Sequence, residues 1–166
     1  MENTPEPKTV NAQELITMAH NYHVPMHEDT IASMVGETGQ VDSSKAKAFE
    51  EYLKTTASGL YPTLAKQIQG GIPTAYLIEP YRQVAKQMLG GNVELDFQTD
   101  PKAVAALHGG FDPETGRPAP MSLSQWKEHI TSHSGFEWDK TPQAHEHVQS
   151  VLDAIGTSMG VTQEGK

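Results

Sequence analysis

Apolar residues return at helical spacing along most of the chain, and polar runs rich in glycine and proline cut the pattern into pieces. Behind Asn11, the positions Leu15, Ile16, Met18, Ala19 and Tyr22 form one apolar side, which predicts a helix from Ala12 to about Tyr22 capped by Asn11 and ended by Pro25. A second short helix, capped by Asp29, carries Ile31, Met34 and Val35 and breaks between Gly36 and Gly39. After Ser43 and Ser44, the positions Ala46, Phe49, Tyr52 and Leu53 predict a third helix, with Gly59 as its stop.

The middle of the chain repeats itself. YPTLAKQIQGG at 61–71 is echoed by YRQVAKQMLGG at 81–91, with a degenerate third member, KAVAALHGG, ending at Gly110. Each reads as a short helix closed by a glycine pair, because the residue after a helix often takes the left-handed conformation that glycine adopts at little cost. Pro62 and Pro80 suit first turns of such helices. Internal duplication and chance reuse of a good helix-and-stop sequence explain the echo equally well. The intervening IPTAYLIE reads as a helix rather than an extended piece. NVELDF, at 92–97, alternates Val93, Leu95 and Phe97 and is the best strand candidate, or else an extended connector pinned by its apolar side chains. Asp100 and Pro101 open a helix that ends at His108, and FDPETGRPAP at 111–120 is a turn-rich loop. Its Asp112 and Glu114 are too few, and too irregularly spaced, for a calcium loop.

The strongest local signals lie between Met121 and Val161. Ser122 and Gln125 fit a capping box, with Met121 and Trp126 as a hydrophobic staple, on a helix running to about Thr131. Phe136 and Trp138 make an aromatic corner near Gly135. Thr141 and Pro142 restart a helix whose Ala144, Val148, Val151, Leu152, Ile155 and Met159 fall on one stripe, the pattern of a helix lying on a core. Gly160 is its stop. The expected fold is therefore mainly α: short helices joined by glycine and proline loops, a C-terminal helical hairpin and at most one short extended segment. The expected organisation is a flexible arm over residues 1–10, a single helical domain over 11–161 with the hairpin at 121–161, and a frayed tail over 162–166.

Composition narrows the function more than it identifies it. A chain of 166 residues buries roughly 70% of its unfolded surface, so a core forms without staples. The absence of cysteine removes disulfides, thiolate metal sites and cysteine nucleophiles together. A net charge of −9 argues against a surface that grips nucleic acid, because phosphate affinity comes from clustered Lys and Arg. Such a surface suits DNA that slides past. The start, MENTPEPKTV, shows neither a basic region nor an apolar stretch, so no secretory signal is expected, and no apolar run is long enough to span a membrane.

Histidine is the residue type that most invites a catalytic reading. His20, His23 and His27 are interrupted by Pro25, while His145 and His147 point to different faces of their helix. His129 and His133 have the i, i+4 spacing of zinc ligands, but the acid of EHITSH precedes the pair instead of standing between its members as a base. No Walker loop, dinucleotide fingerprint, nucleophile elbow or kinase set is present. The expectation is a protein that is not an enzyme, with no metal site and no cofactor. A histidine-metal hydrolase is the least favoured alternative. Trp126, Phe136 and Trp138 are the residues expected to act as packing or docking anchors.

The segment from Phe111 to Val161 resembles helical segments of tailed-bacteriophage internal virion, or DNA-ejection, proteins, those of N4-like podophages among them. The resemblance rests on Ser122, Leu123, Ser124 and Trp126 in the first helix, on Gly135, Phe136, Trp138 and Thr141 at the corner, and on Ala144 and Gly160 in the last helix. It covers about a third of the chain, and its motifs are structural. It implies a virion component made in the host cytoplasm, a homo-oligomer that also joins other ejection proteins and helps to deliver DNA across the host envelope. DNA would be passing cargo, and membrane contact would come only through the assembly. The alternative is a helical interaction or adaptor domain.

Overall fold

The computed structural model describes residues 8–158, and the protein is mainly helical. The sequence expectations for residues 1–7, for Met159 and Gly160, and for the tail 162–166 lie outside the described residues. Backbone contacts divide the chain into two compact units, Met1–Glu79 and Pro80–Lys166. The division falls inside one continuous helix, α5 (Thr74–Leu89). The hydrophobic pattern, read as one domain over 11–161, does not announce it.

In the first unit the end of the expected arm is already paired. Thr9–Asn11 form β1, antiparallel to β2 (Gln40–Asp42), with Val10 opposite Val41. Asn11 then caps α1 (Ala12–Asn21) in a full capping box: its side chain accepts from the Glu14 N–H at 2.9 Å, and the Glu14 carboxylate accepts from the Asn11 N–H at 2.9 Å. Helix α2 (Glu28–Val35) begins before the predicted cap. Asp29 lies in its first turn, where a negative charge meets the positive end of the helix dipole.

Asp42 caps α3 (Ser43–Leu60) by accepting the Lys45 N–H at 2.8 Å. Gly59 does not stop this helix. The Tyr61 N–H still reaches the Ala57 carbonyl at 2.8 Å, and only Pro62, which has no N–H, prevents a further turn. A 3₁₀ turn (Pro62–Leu64) leads into α4 (Ala65–Gln69). Leu15, Leu53 and Ile68 are completely buried, with Ile31, Phe49 and Leu64 nearly so. Each large aliphatic side chain taken from water contributes roughly 1.5 to 3 kcal/mol, which is what these short helices have in place of length.

The echo of 61–71 in 81–91 does not correspond to two equivalent helices. The first copy is a 3₁₀ turn plus α4, whereas the second is the latter half of α5, with Pro80 inside the helix and not in a first turn. Pro80 leaves the Tyr76 carbonyl without its helical partner. Tyr76 itself is exposed. Gly71 and Gly90 do adopt positive φ, at 95° and 106°, as helix ends require.

In the second unit, residues 92–97 form no strand, and NVELDF is a connector held by the buried Phe97. Asp100 and Pro101 open α6 (Pro101–His108) as expected. β3 (Gly110–Phe111) pairs antiparallel with β4 (Pro118–Ala119). Among the described residues two two-stranded ribbons thus stand where at most one extended segment was expected, and neither lies where the alternation pointed. Gly110 is needed for close approach, since a side chain there would strike the Pro120 carbonyl. Ser122 and Gln125 form the predicted capping box on α7 (Leu123–Ser132). Two 3₁₀ turns, Ser134–Phe136 and Trp138–Lys140, then lead to α8 (Pro142–Ser158), capped by the Thr141 hydroxyl accepting the Ala144 N–H at 3.2 Å. Among the described residues no helix is long and apolar enough to cross a membrane.

Candidate functional site

The three anchors expected at the aromatic corner take different positions. Trp126, in the middle of α7, is completely buried, Phe136 nearly so, and Trp138 is half-buried. Around the Trp126 ring lie Tyr81 at 6.2 Å, Phe97 at 6.0 Å, and His129 and Phe136 each at 5.6 Å between ring centroids. The Trp126 indole N–H donates to the Tyr81 carbonyl at 2.9 Å, and the Tyr81 hydroxyl donates to the Met121 carbonyl at 2.6 Å. A buried indole needs such an acceptor, because an unpaired N–H in the interior costs about 1 to 3 kcal/mol. Burial also holds the Tyr81 hydroxyl above the usual phenol range. The cluster is thus part of the core of the second unit. Sequence reasoning did not connect Tyr81 and Phe97 to it; both belong to segments set aside as an echo and a connector.

His129 and His133, the pair with ligand spacing, lie 5.1 Å apart between ring centroids. Each already has a backbone partner. His129 Nε2 stands 3.1 Å from the Lys102 carbonyl, which can only accept, and His133 Nδ1 accepts the Gly135 N–H at 3.0 Å. A side chain at Gly135 would meet the exposed His133 ring at 2.9 Å, and the ring would have to shift to admit it. Among the described residues no group of three or more His, Asp or Glu side chains is placed to hold a metal ion. Two cations near this corner are likewise engaged: Lys102 Nζ lies 2.6 Å from the Asp100 carboxylate, and Lys140 Nζ lies 2.7 Å from Glu137. The Lys140 ammonium holds the Glu137 carboxyl below its usual range.

The expected stripe on the last helix is where structure and expectation part. Ala144 is buried, but Val148, Val151, Leu152 and Ile155 are 52%, 43%, 57% and 49% exposed. The helix therefore does not lie on a core along its length. It docks through its first turns, by Ala144 and by Trp138 packed edge-on against His147 at 6.0 Å, and its main neighbour is the Trp138–Lys140 turn rather than the flank of α7. The expected helical hairpin is thus open. Beyond His147, α8 continues past these contacts with its apolar row uncovered among the described residues.

The first unit offers a second apolar feature that the sequence did not reveal. A groove of about 550 Å³ is lined by Met26, Met34, Val41, Phe49 and Tyr52, with Lys45 at one side. Tyr52, placed by its spacing on the apolar side of α3, stands exposed at this groove, stacked on Phe49 at 6.4 Å. Trp126 and Phe136 are thus buried, while the row on α8 and this groove are exposed apolar features. Comparison of the chain with protein-family models, with curated proteins and with solved structures finds no match.

Proposed function

We propose that the protein is a non-enzymatic structural component of a tailed-phage virion, one that associates with itself or with other ejection proteins to help deliver DNA across the host envelope. The observation that carries the assembly role is the exposed apolar row of α8, because an aliphatic face of this kind is retained in soluble proteins chiefly where something covers it. The resemblance of residues 111–161 to internal virion proteins directs that role to the phage particle. The net charge of −9 suits passage of DNA without capture. In this reading the chain is made in the host cytoplasm, resides in the virion, and reaches the host envelope only as part of an assembly.

Mass spectrometry of purified particles tests the proposal. The expected result is the chain present at several copies per particle; its absence overturns the virion role. One observation favours a second reading, a helical adaptor domain. The groove between Met26, Met34, Phe49 and Tyr52 has the methionine and aromatic lining that accepts the apolar face of a partner helix. Recovery of the chain in a stable complex outside particles is the outcome that reading expects.

A further inference from the structure

His129 and His133 use their rings in opposite ways. His129 Nε2 stands 3.1 Å from the Lys102 carbonyl, which only accepts, so that nitrogen carries a proton and keeps its bond whether the ring is neutral or charged. His133 Nδ1 accepts the Gly135 N–H at 3.0 Å, so that nitrogen must be bare. A proton on Nδ1 turns this acceptor into a donor facing another donor, and the bond is lost. Imidazole is the side chain whose charge changes between about pH 5 and 8.

The bond at stake is a cap. His133 is the N-cap of the 3₁₀ turn Ser134–Phe136, and its side chain satisfies the Gly135 N–H at the open end of that turn. The turn carries Phe136 into the core, where its ring meets Trp126 and the His133 ring itself, each at 5.6 Å between centroids. The next turn, Trp138–Lys140, is the one against which α8 docks. Asparagine or aspartate would cap this turn at any pH in that range, whereas histidine does so only while neutral.

The neighbours do not offset the loss. One turn back on α7 stand His129, at 5.1 Å between ring centroids, and the uncharged Ile130. Beside Gly135 and Phe136 lies a hollow of about 510 Å³ whose charged residues are Glu94 of the connector, Asp100 and Lys102 at the start of α6, and Glu137 and Lys140 of the corner. Lys102 is tied to Asp100 and Lys140 to Glu137. None of these groups can restore the Gly135 bond, because a charged ring has no lone pair to offer at Nδ1.

We propose that His133 is an acid-released cap: on protonation it lets go of the Gly135 N–H and loosens the Ser134–Phe136 turn that precedes the docked end of α8. The inference is independent of the virion role and of what covers α8. The test follows amide exchange at Gly135 and Phe136 by NMR in the full chain between about pH 8 and pH 5, each rate taken relative to an unstructured peptide at the same pH. It compares the native chain with His133→Asn, His133→Asp and His129→Gln. Asparagine and aspartate keep a side-chain acceptor that does not titrate across this range, and His133 is exposed, so both variants leave the core intact. The expected result is a severalfold loss of protection in acid for the native chain and for His129→Gln, and level protection in both His133 variants, at unchanged circular dichroism. Native protection that stays level overturns the proposal, as does an acid loss that persists in His133→Asn and His133→Asp. A loss abolished by His129→Gln overturns it too, since His129 would then be the group that takes the proton.

Discussion

Helices α3 and α8 carry apolar stripes of similar regularity and meet opposite fates. In α3, Ala46, Phe49, Leu53 and Ala57 are all buried, in a unit where α1, α4 and the β1–β2 ribbon converge on the same face. In α8 only Ala144 is buried, and the four large aliphatics after it remain half in solvent. The periodicity is a property of each helix alone, but burial depends on whether other elements of the chain reach that face. A stripe therefore predicts a partner and leaves open whether the partner belongs to the same chain.

The largest effect expected lies outside both helices, at the residue that holds the second unit together. Trp126→Ala should cost about 3 to 5 kcal/mol in denaturant unfolding, through the lost ring and its bond to the Tyr81 carbonyl, while Trp126→Phe keeps most of the packing and loses the indole donor. Next comes the direct test of the comparison. Leu53→Ala, at zero exposure in α3, should cost about 2 to 5 kcal/mol, whereas Leu152→Ala, measured in dilute monomer, should stay within about 0.5 kcal/mol. Equal losses from the two would break the contrast, by showing that α8 is covered within its own chain. Trp138→Ala falls between them: the ring is half-buried and meets His147 on the docked end of α8, so a loss of about 2 kcal/mol is expected, together with reduced helix content if that contact is what fixes α8.

What could be read along the chain follows the same division. The caps at Asn11, Asp100, Ser122 and Thr141 all formed, because a cap is settled by residues two or three apart. The helical class was legible for that reason. The ribbons β1–β2 and β3–β4 were not, since the first joins residues about thirty positions apart and the second is set by Gly110 meeting Pro120. The anchors Trp126, Phe136 and Trp138 could be found as large aromatics, but their partners Tyr81 and Phe97 are distant in sequence, and nothing local separates a core tryptophan from a docking one. The open face of α8 was the least legible feature. Its sequence is that of a core helix, and only the exposure of its row among the described residues distinguishes it.

The turn between β3 and β4 supplies the smallest test and a control for that argument, because it is entirely local. The Asp112 carboxylate accepts from the Glu114 N–H at 2.9 Å and from the Thr115 hydroxyl at 2.6 Å, and the Thr115 bond, then the Glu114 bond, hold its carboxyl below the ordinary aspartate value near 3.8. A group whose folded value is lowered stabilises the fold above its unfolded value and loses that contribution as pH falls through the folded one. The turn should therefore keep its hydrogen bonds above the ordinary aspartate range and loosen as the pH falls through the lowered value. Proton exchange and chemical shifts of the Glu114 and Gly116 amides during an acid titration would follow it, with Asp112→Asn removing most of the pH response. If amides in α8 change in step with the turn while the rest of the unit stays native, α8 is held by contacts that reach residues 110–119, and the contrast with α3 fails. If the turn titrates alone, local hydrogen bonding and long-range packing are separable in this unit, and the exposed row of α8 remains the surface that awaits a partner.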